Sequence, residues 1–432
     1  MIYLISPNKI KFNKKMDVIF ITDNTNNYNT KELFNKCKKI SKKTYCFNEI
    51  NEFYDFIKTQ KYTSKTKICF IGEEDDLQEY SNLLKFMIYY KDEKNKITSQ
   101  MKKFNKSISK DNNIIINEAL DLFKDANKDG KCIRGTLINL GYKTHKKDNY
   151  SLALSAAYEA FETSILIHDD IIDNSSLRRN TPTIHKKYQE FFKEYTSDNT
   201  PYHLALCIGD IGFYYTYDYI VNKYKNDKNL SRLLHYYNNI VIDTIKGEIL
   251  DVYLPYIEKN DKEHRLYEDD ILKIYKLKTS KYTIVGPFVL GMILSGAKNK
   301  EIYEIEKILE PIGISFQIKD DILGVMSTTE KLGKPIYSDI EEFKQTILYS
   351  YIKLEKKEYL DDLLKYYGNT SNTESVKEVQ KIMIDSGSLE YAINKMNELF
   401  NYSKEKITES KLNKDIKSIL LGFIKYLELR KK

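Results

Sequence analysis

Long segments whose apolar residues recur at helical spacing fill the chain after about residue 114. The longest are 151–173, 232–254 and 304–326, and each keeps apolar side chains three and four residues apart. Strand-type alternation is scarce in the same region. The chain holds only 7 prolines and 16 glycines, so few residues interrupt such helices. The sequence therefore predicts a mainly all-α protein, with a helical domain over residues 96–432.

Residues 1–95 carry a different pattern, in which short β-type runs alternate with helix-like stretches. The runs are IYLIS (2–6), DVIFIT (17–22), TYCF (44–47) and KICFIG (67–72). Strands that alternate with helices favour a small α/β unit with parallel pairing. Neither a GxGxxG nor a GxxxxGK[ST] phosphate-binding motif is present in the sequence. We therefore predict a small N-terminal α/β accessory domain of unknown function over residues 1–95.

Charge and cysteine usage argue against several classes of protein. The 69 basic and 62 acidic residues leave a net charge of +7, and the lysines are scattered, so no nucleic-acid partner is predicted. The 5 cysteines and 6 histidines show no CxxC or HExxH spacing, which argues against a disulfide framework and a zinc site. No run approaches the roughly 18 apolar residues of a membrane span. The N-terminus does not resemble a signal peptide. We predict a cytoplasmic protein without an integral membrane segment.

The segment ILIHDDIIDNSSLRRN (165–180) sets three aspartates at the end of an apolar helix. Asp169 and Asp173 lie four residues apart and therefore share a helix face, with Asp170 beside them. Carboxylates are disfavoured at a helix C-terminus, and oxygen ligands without a rigid cage suit Mg²⁺. The pattern therefore indicates a magnesium site, with a solvated acidic cluster as the alternative.

A second acidic pair lies in the apolar segment FQIKDDILG (316–324), where Gln317 stands about one turn before Asp320 and Asp321. Two acidic patches on two apolar helices are explained if the helices face each other and hold metal ions that bridge a diphosphate. The chain also carries basic residues beside glycines or helix ends, which together indicate sites for more than one phosphorylated group. They are Lys131, Arg134, Arg178, Arg179, Lys278 with Thr279, Lys334 and Lys344.

An ordered series of motifs makes the chain resemble the trans-isoprenyl diphosphate synthases, the family of farnesyl, geranylgeranyl and longer polyprenyl diphosphate synthases. From about residue 114 to 350 the series reads GKCIRG, DDIIDNSSLRRNTPTIH, IGD, GEILD, KTS, FQIKDD and LGKPIYSDIEEFKQT. The resemblance implies an isoprenoid synthase-type helical bundle around a central cavity, and a homodimer. It also implies Mg²⁺-dependent head-to-tail condensation of isopentenyl diphosphate with an allylic diphosphate.

The resemblance implies a role for each matching residue. About three Mg²⁺ ions on the allylic diphosphate would be bound by Asp169, Asp170, Asp173, Asp320 and Asp321. The residues that contact this diphosphate would be Arg178, Lys278 and Lys334, and those at its reacting end Thr279 and Gln317. The residues that hold isopentenyl diphosphate would be Lys131, Arg134 and Arg179, while Lys344 would belong to a closing loop.

Some positions depart from the pattern of the family. Glu162 stands where a histidine or glutamine helps to hold isopentenyl diphosphate. Its carboxylate would repel the diphosphate unless Lys131 or Arg134 pairs with it. Gly324 ends the second aspartate motif in place of aspartate, which predicts altered metal affinity. Milder departures are Cys132 and Glu248, in place of an arginine and a glutamine.

The helix below Asp169 carries a prediction of product length. Ser164 and Ile165, one turn upstream, would form the cavity wall, where family members that stop at fifteen carbons usually carry aromatic residues. Phe161, about 12 Å below Asp169 by helical rise, would form a deeper floor with Tyr158 beyond it. We predict the C20 product geranylgeranyl diphosphate, with longer products open. Ordinary core packing is the alternative for both aromatic residues.

Two other functions stay open on the sequence. A class I terpene cyclase would share the helical fold and the first aspartate motif. Its second metal motif is incomplete here, because Thr244 and Glu248 have the required spacing while position 240 is isoleucine. A catalytically silent partner subunit that regulates a prenyl synthase is the other alternative, and Glu162 favours it. The retained acidic clusters and basic residues favour an active enzyme.

Overall fold

The computed structural model describes residues 2–5, 17–21, 35, 37–39, 43–47, 49–62, 66, 68–71, 74–128, 130–193, 198–260, 267–326, 338–369 and 373–430. The chain divides into two compact units. The first comprises residues 1–93 with 404–430, and the second comprises residues 94–403 with 431–432. The predicted domain boundary at residue 95 stays a prediction. Residues 404–430 were expected in the helical domain, but the structure groups them with the first unit.

The first unit contains a four-stranded parallel sheet. Its strands β1 (Ile2–Ile5), β2 (Asp17–Ile21), β3 (Lys43–Phe47) and β4 (Ile68–Ile71) stand in the order β1–β4–β2–β3. Val18 and Ile19 of β2 are adjacent and both fully buried. Because neighbouring strand residues point to opposite faces, both faces of β2 are covered. Three of the four β-type runs of the sequence contain one of these strands, and β3 begins one residue before the run TYCF.

Helices make up most of the other described residues. The α-helices are α1 (Ile50–Thr59), α2 (Glu74–Ser107), α3 (Ile114–Ala126), α4 (Ile133–Tyr142), α5 (Leu152–Ile172), α6 (Ile184–Phe191), α7 (Thr200–Tyr224), α8 (Leu230–Asn260), α9 (Glu268–Ile274), α10 (Gly286–Ser295), α11 (Asn299–Met326), α12 (Ser338–Glu341), α13 (Ile347–Glu355), α14 (Leu360–Leu364), α15 (Thr373–Asp385), α16 (Ser388–Glu409) and α17 (Lys414–Leu429). The smaller elements are a π-helix (Tyr275–Val285), a 3₁₀ turn (Lys357–Tyr359) and a hairpin of β5 (Leu177–Arg178) and β6 (Thr181–Pro182). The predicted all-α architecture is confirmed. None of the helices formed by the described residues combines the length and apolar character that crossing a membrane requires.

The C-terminal helix α17 belongs to the first unit because it packs closely against the first half of α2. An ideal Cβ on Gly422 would lie 2.0 Å from the carbonyl oxygen of Asn82, so glycine permits this approach where a larger residue would clash. The rings of Phe86 and Phe423 are 5.2 Å apart. These contacts join segments that are far apart in the sequence. They explain why α17 belongs to the first unit and not to the helical domain expected from the sequence.

The buried helix α10 lies in the core of the second unit, and all its residues from 286 to 295 are buried. A helix that is apolar on all sides needs packing partners on all sides. An ideal Cβ on Gly141 of α4 would lie 1.9 Å from the carbonyl oxygen of Phe288. One on Gly291 would lie 1.9 Å from the carbonyl oxygen of Ile138. The two glycines therefore allow α4 and α10 to approach each other backbone to backbone.

Replacing Gly291 by alanine is expected to lower the free energy of unfolding by about 3 kcal/mol, because two helix backbones must move apart. Urea or thermal unfolding measures the loss. Gly296→Ala is the matched control, since no described atom lies within 4 Å of its ideal Cβ. Its φ of 95° alone predicts a loss of about 1 kcal/mol. Equal losses at both positions would contradict the close approach of α4 and α10.

Candidate active site

The end of α5 carries the three aspartates of the first acidic cluster. Asp169 and Asp170 lie in its last turn, and Asp173 follows as the C-cap residue. Asp170 is buried, and the side chains of Asp169 and Asp173 are 18% and 12% exposed. The helix predicted over 151–173 is therefore present and is one residue shorter at each end.

Arg178 folds back onto this cluster from the β5–β6 hairpin. Its Nε donates to Asp170 Oδ1 at 2.8 Å, and its Nη2 donates to Asp169 Oδ2 at 3.0 Å. Burial lowers the pKa of Arg178, but the two carboxylates outweigh burial, so the pKa is raised. The hairpin therefore fixes a permanent positive charge beside the aspartates.

The two adjacent arginines point to different places because of the turn between β5 and β6. Arg179 and Asn180 have φ angles of 53° and 62°, and two left-handed central residues are typical of a type I′ hairpin turn. Arg179 is exposed, and its Nη2 lies 3.7 Å from the position of an ideal Cβ on Gly130. The turn thus directs Arg178 to the aspartates and Arg179 to the loop before α4.

Two further carboxylates, Glu248 and Asp251 on α8, join the cluster through Lys278 of the π-helix. Lys278 Nζ donates to Asp251 Oδ2 at 2.6 Å. It also lies 2.8 Å from Glu248 Oε2 and 3.6 Å from Asp169 Oδ1. Burial lowers the pKa of Lys278, yet the carboxylates raise it above its usual range. An ideal Cβ on Gly247 would lie 2.4 Å from the Lys278 backbone nitrogen, so the glycine of GEILD allows the π-helix to approach α8.

Lys344 enters the same network from the segment between α12 and α13. Its Nζ donates to Asp173 Oδ1 at 3.3 Å and to Asp251 Oδ2 at 3.2 Å. Phe343 before it has a φ of 57°, which is uncommon for a bulky residue and marks a constrained turn. Lys334 of the same sequence motif lies outside the described residues. Arg178, Lys278 and Lys344 thus form one network with the carboxylates at the end of α5 and on α8, and Lys344 also pairs with Glu342 at 3.2 Å.

The second acidic pair lies on α11 and has its own hydrogen bonds. Asp321 is buried, Tyr275 Oη donates to its Oδ2, and Gln317 Nε2 donates to its Oδ1 at 2.8 Å. Thr279 Oγ1 in turn donates to Gln317 Oε1 at 2.6 Å. Asp321 therefore orients Gln317 and Thr279, and the half-buried Asp320 beside it is the more accessible carboxylate.

An apolar cavity of about 1060 Å³ opens between α5, α7 and α8. Asp169 and Glu248 of the charged network line it together with Ile165 and Phe161, so carboxylates and apolar side chains share one space. Ser164 instead is buried against α7, where an ideal Cβ on Gly212 would lie 2.2 Å from its Oγ. Of the two residues expected to form the upper wall, the structure thus brings Ile165 to the cavity.

The lower part of the cavity contains a residue that sequence reasoning missed. Phe161 is fully buried, and the ring of Tyr237 on α8 lies 5.2 Å from it. Tyr237 lines the cavity as well. Tyr158 packs against Phe161 at 5.2 Å, and its Oη donates to the carbonyl oxygen of Tyr282 at 2.8 Å. The helical spacing in 232–254 marks Tyr237 as a packing residue but does not show which helix it faces.

The basic motif GKCIRG lies at the start of α4. Lys131 is exposed, and Cys132 adopts a left-handed φ of 55° as the N-cap residue. Arg134 Nη1 lies 2.6 Å from Glu162 Oε1, and its Nη2 donates to Thr283 Oγ1 at 2.9 Å. Of the two basic residues expected as partners of Glu162, the structure brings Arg134 to it.

The donor atoms of the charged network suit a divalent cation. Carboxylate oxygens are the ligands that Mg²⁺ prefers, and Glu248 Oε1 is buried without a hydrogen-bond partner among the described atoms. In the described parts of the chain, no three acidic, histidine or cysteine side chains are arranged to hold a metal ion by themselves. At phosphate sites Mg²⁺ is usually held by one or two carboxylates together with waters and substrate phosphate oxygens.

Known proteins that are similar to this chain belong to the family indicated by its motifs. A sequence model of the polyprenyl synthetase family matches residues 116–383. A short chain isoprenyl diphosphate synthase of Methanocaldococcus jannaschii is 30% identical over 270 residues, which cover 61% of this chain and 74% of that protein. A geranylgeranyl diphosphate synthase of Sulfolobus acidocaldarius is 26% identical over 280 residues, which cover 64% of this chain and 79% of that protein.

Solved structures share the fold. The structure of a geranylgeranyl pyrophosphate synthase from Corynebacterium glutamicum, complexed with isoprenyl diphosphate and magnesium, aligns with a TM-score of 0.70 and 21% identity. The alignment covers 78% of this chain and 98% of that one. The predicted isoprenoid synthase-type helical bundle is therefore confirmed. The chain belongs to the polyprenyl synthetase family of trans-prenyl diphosphate synthases and is a prenyltransferase.

Proposed function

We propose that the protein catalyses the Mg²⁺-dependent head-to-tail condensation of isopentenyl diphosphate with an allylic diphosphate, and that its product is geranylgeranyl diphosphate. The observation that supports this proposal is the apolar cavity of about 1060 Å³ whose wall includes Asp169 and Glu248. A prenyl diphosphate has the same two parts, a charged head and an apolar chain. The cavity accommodates the chain while the charged network faces the head.

The allylic diphosphate is proposed to bind at the charged network. Arg178 and Lys278, with Lys334, would contact its oxygens, and the acidic residues Asp169, Asp170, Asp173, Asp320 and Asp321 would hold about three Mg²⁺ ions against it. Mg²⁺ bound there supplies positive charge that stabilises the departing diphosphate. Lys278 is already held within 3.6 Å of Asp169, so little rearrangement is needed to bring both groups to one substrate.

The reaction needs charge stabilisation and protection from water rather than a side-chain nucleophile. Cleavage of the allylic C–O bond develops negative charge on the diphosphate, which Arg178 and Lys278 stabilise. The positive charge develops on the allylic carbon, and the apolar wall around Ile165 excludes the water that would attack it. The double bond of isopentenyl diphosphate forms the new C–C bond. A proton then leaves the adjacent carbon, and the departed diphosphate can accept it.

Isopentenyl diphosphate is proposed to bind near the start of α4. Lys131 and Arg134 lie there, and the hairpin turn directs Arg179 to the same loop. Thr279 and Gln317 are proposed to line the reacting end of the allylic substrate, and the hydrogen bond of 2.6 Å between them fixes both side chains. Lys344, in contact with Asp173 and Asp251, is proposed to belong to the segment that closes the site.

We also propose a homodimer formed through the helical unit. Several apolar side chains of α7 and α8 that line the cavity are strongly exposed for a single chain. A partner subunit that covered them would close the open side of the cavity, and burial of this apolar surface would stabilise association. The exposed side chains are Tyr214 (77% exposed), Ile245 (54%), Ile249 (59%), Tyr253 (56%) and Tyr256 (65%).

The proposed activity is tested with labelled isopentenyl diphosphate and allylic diphosphates of different chain length, each with Mg²⁺ or with EDTA. We expect a C20 product by mass spectrometry with Mg²⁺ and loss of product with EDTA, because the head groups need a cation. Excess Mg²⁺ added after EDTA is the control and should restore the product. A series of longer products would contradict the proposed cavity floor near Phe161 but not the proposed condensation reaction.

Two outcomes of the same assay would favour the alternatives. A cyclic hydrocarbon formed from an allylic diphosphate would identify a class I terpene cyclase. No elongation of any allylic diphosphate by folded protein would favour a silent partner subunit, and the ion pair between Arg134 and Glu162 would then be the first feature to examine.

A further inference from the structure

The segment that carries Lys344 has an unusual backbone conformation at the residue before it, Phe343. The φ of 57° at Phe343 lies in the left-handed region, which a bulky side chain rarely adopts because its Cβ crowds the backbone. Such a conformation persists where the surrounding structure imposes it. Phe343 is only 4% exposed, so the contacts of its buried ring show what imposes the turn.

The ring of Phe343 lies in a pocket made by three separate parts of the chain. Its centre lies 5.3 Å from that of Tyr349 on α13 and 5.7 Å from that of Tyr367 after α14. The two tyrosine rings are stacked on each other at 5.6 Å. The Nζ of Lys259 on α8 lies 5.0 Å from the centre of the Phe343 ring, within the range of a cation–π interaction. Such contacts stabilise a buried ring beyond the burial of its surface, so the pocket holds the ring in one place.

The chain after α14 also holds the backbone of the segment. Gly368 has a φ of 82°, and an ideal Cβ there would lie 2.6 Å from Cδ2 of Phe343, so glycine lets the backbone reach the ring. The Gly368 nitrogen donates to the carbonyl oxygen of Ile340 at 2.8 Å. The Oη of Tyr367 donates to the carbonyl oxygen of Lys344 at 2.8 Å. The segment is therefore held at both ends and, through the ring, between them.

This support decides which carboxylates Lys344 reaches. Its Nζ joins Asp173 at the end of α5 to Asp251 of α8, at 3.3 and 3.2 Å. Glu342, two residues away in the same segment, lies 3.2 Å from the same nitrogen. A lysine side chain has many rotamers, and a loosely held segment would let the ammonium group follow Glu342 away from α5 and α8. The fixed turn at Phe343 keeps the ammonium group between the two helices.

We propose that Phe343 is a positioning residue, whose ring holds the Lys344 ammonium group at the carboxylates of the charged network before a substrate binds. The inference rests on the proposed function, in which this network binds the allylic diphosphate. A cation that is already in place stabilises the charge that develops on the departing diphosphate without reorganisation. Phe343 therefore acts on the rate of the chemical step through Lys344. The affinity for isopentenyl diphosphate, whose proposed site lies near the start of α4, should not depend on Phe343.

The first test is the steady-state kinetics of Phe343→Leu, which keeps an apolar side chain but removes the ring. We expect kcat to fall about tenfold at saturating concentrations of both diphosphates, while KM for isopentenyl diphosphate stays within about twofold of the wild type. Phe400→Leu is the matched control, because Phe400 is fully buried on α16, outside the charged network. This exchange should lower the melting temperature similarly and leave kcat within about twofold of the wild type.

A double-mutant cycle separates positioning from general packing. In the Lys344→Ala background the cation is already gone, so Phe343→Leu should lower kcat by no more than about twofold. Tyr367→Phe removes only the hydroxyl that donates to the Lys344 carbonyl, and a fall of kcat by about threefold is expected when Lys344 is present. If Phe343→Leu lowers kcat by the same factor with and without Lys344, or does not lower it at all, the inference is overturned.

Limited proteolysis reports on the segment without any substrate. Trypsin cleaves after lysine, and the bond after Lys344 is protected while the segment is held, because cleavage requires local unfolding. In Phe343→Leu we expect this bond to be cleaved about tenfold faster than in the wild type, relative to the bond after the exposed Lys228 between α7 and α8. Equal protection of the Lys344 bond in both proteins would also overturn the inference.

Two further outcomes are distinguishable in these experiments. If Phe343→Leu does not fold, Tyr367→Phe takes its place in the kinetics and in the proteolysis. If the wild type condenses no diphosphates, the proposed function fails, while the proteolysis still decides whether Phe343 holds the segment that carries Lys344.

Discussion

Exchange of Asp169 for alanine is expected to lower kcat by about a thousandfold. Asp169 is the carboxylate that contacts both Arg178, at 3.0 Å, and Lys278, at 3.6 Å. Its loss removes an oxygen ligand proposed for Mg²⁺ and one of the carboxylates that hold each of the two cations, which keep Asp170 and Asp251 as partners. Initial rates at saturating concentrations of both diphosphates measure the change.

Asp218→Ala is the control for this exchange. Asp218 also lies on a helix, α7, but it is exposed and accepts a hydrogen bond from Asn222 at 2.9 Å. Circular dichroism shows whether both variants fold. A folded Asp169 variant with a rate close to that of the Asp218 variant would contradict the role proposed for the charged network.

Exchange of Phe161 for alanine is expected to lengthen the main product beyond twenty carbons, by about one or two isoprene units. Phe161 is fully buried between α5 and α8, and its ring packs 5.2 Å from that of Tyr237. Truncation removes the floor and opens space that a longer chain can fill, at a cost of about 3–5 kcal/mol in the free energy of unfolding. Mass spectrometry of the products, with thermal melts beside it, measures both effects.

Ser164→Ala is the matched control for product length. Ser164 lies on the same helix but is buried against Gly212 of α7, so its truncation should leave the product at twenty carbons. Tyr237→Ala, by contrast, should lengthen the product as Phe161→Ala does, since both rings line the cavity. If only Ser164→Ala changes the length, the floor is placed wrongly.

Much of the helical unit can be predicted from local patterns. The apolar spacing of 151–173 locates α5 to within one residue at each end, because helix periodicity and the aspartates at its end are both local signals. The sequence assigned Arg178 to the diphosphate by resemblance, whereas its contacts with Asp169 and Asp170 are seen in the structure. The hairpin that turns Arg178 back onto the aspartates was not predicted.

Contacts between distant segments could not be predicted in this way. Asp251 contacts Lys278 and Lys344, although 27 and 93 residues separate it from them. No local pattern shows that the segment with Lys278 is a π-helix, a form that is rare and is stabilised by its surroundings. Likewise, Tyr237 faces Phe161 only because α8 packs beside α5.

The sequence also does not predict which neighbouring element an individual side chain faces. Ser164 and Ile165 are neighbours one turn above Phe161, yet Ile165 faces the cavity and Ser164 faces α7. Residues one position apart on a helix differ in direction by about 100°, and the sequence does not show which neighbour each direction meets. The same limit applies to Asp321, whose partner Tyr275 comes 46 residues earlier.

The type I′ turn between β5 and β6, which sends Arg178 and Arg179 to different sites, has a thermodynamic consequence. The two residues are consecutive, so a shift of the turn that accompanies the binding of one diphosphate also displaces the arginine proposed for the other. Linkage makes such an effect reciprocal. If the bound allylic diphosphate changes the affinity for isopentenyl diphosphate by some factor, bound isopentenyl diphosphate changes the affinity for the allylic diphosphate by the same factor. A single tight turn would then carry communication between two binding sites.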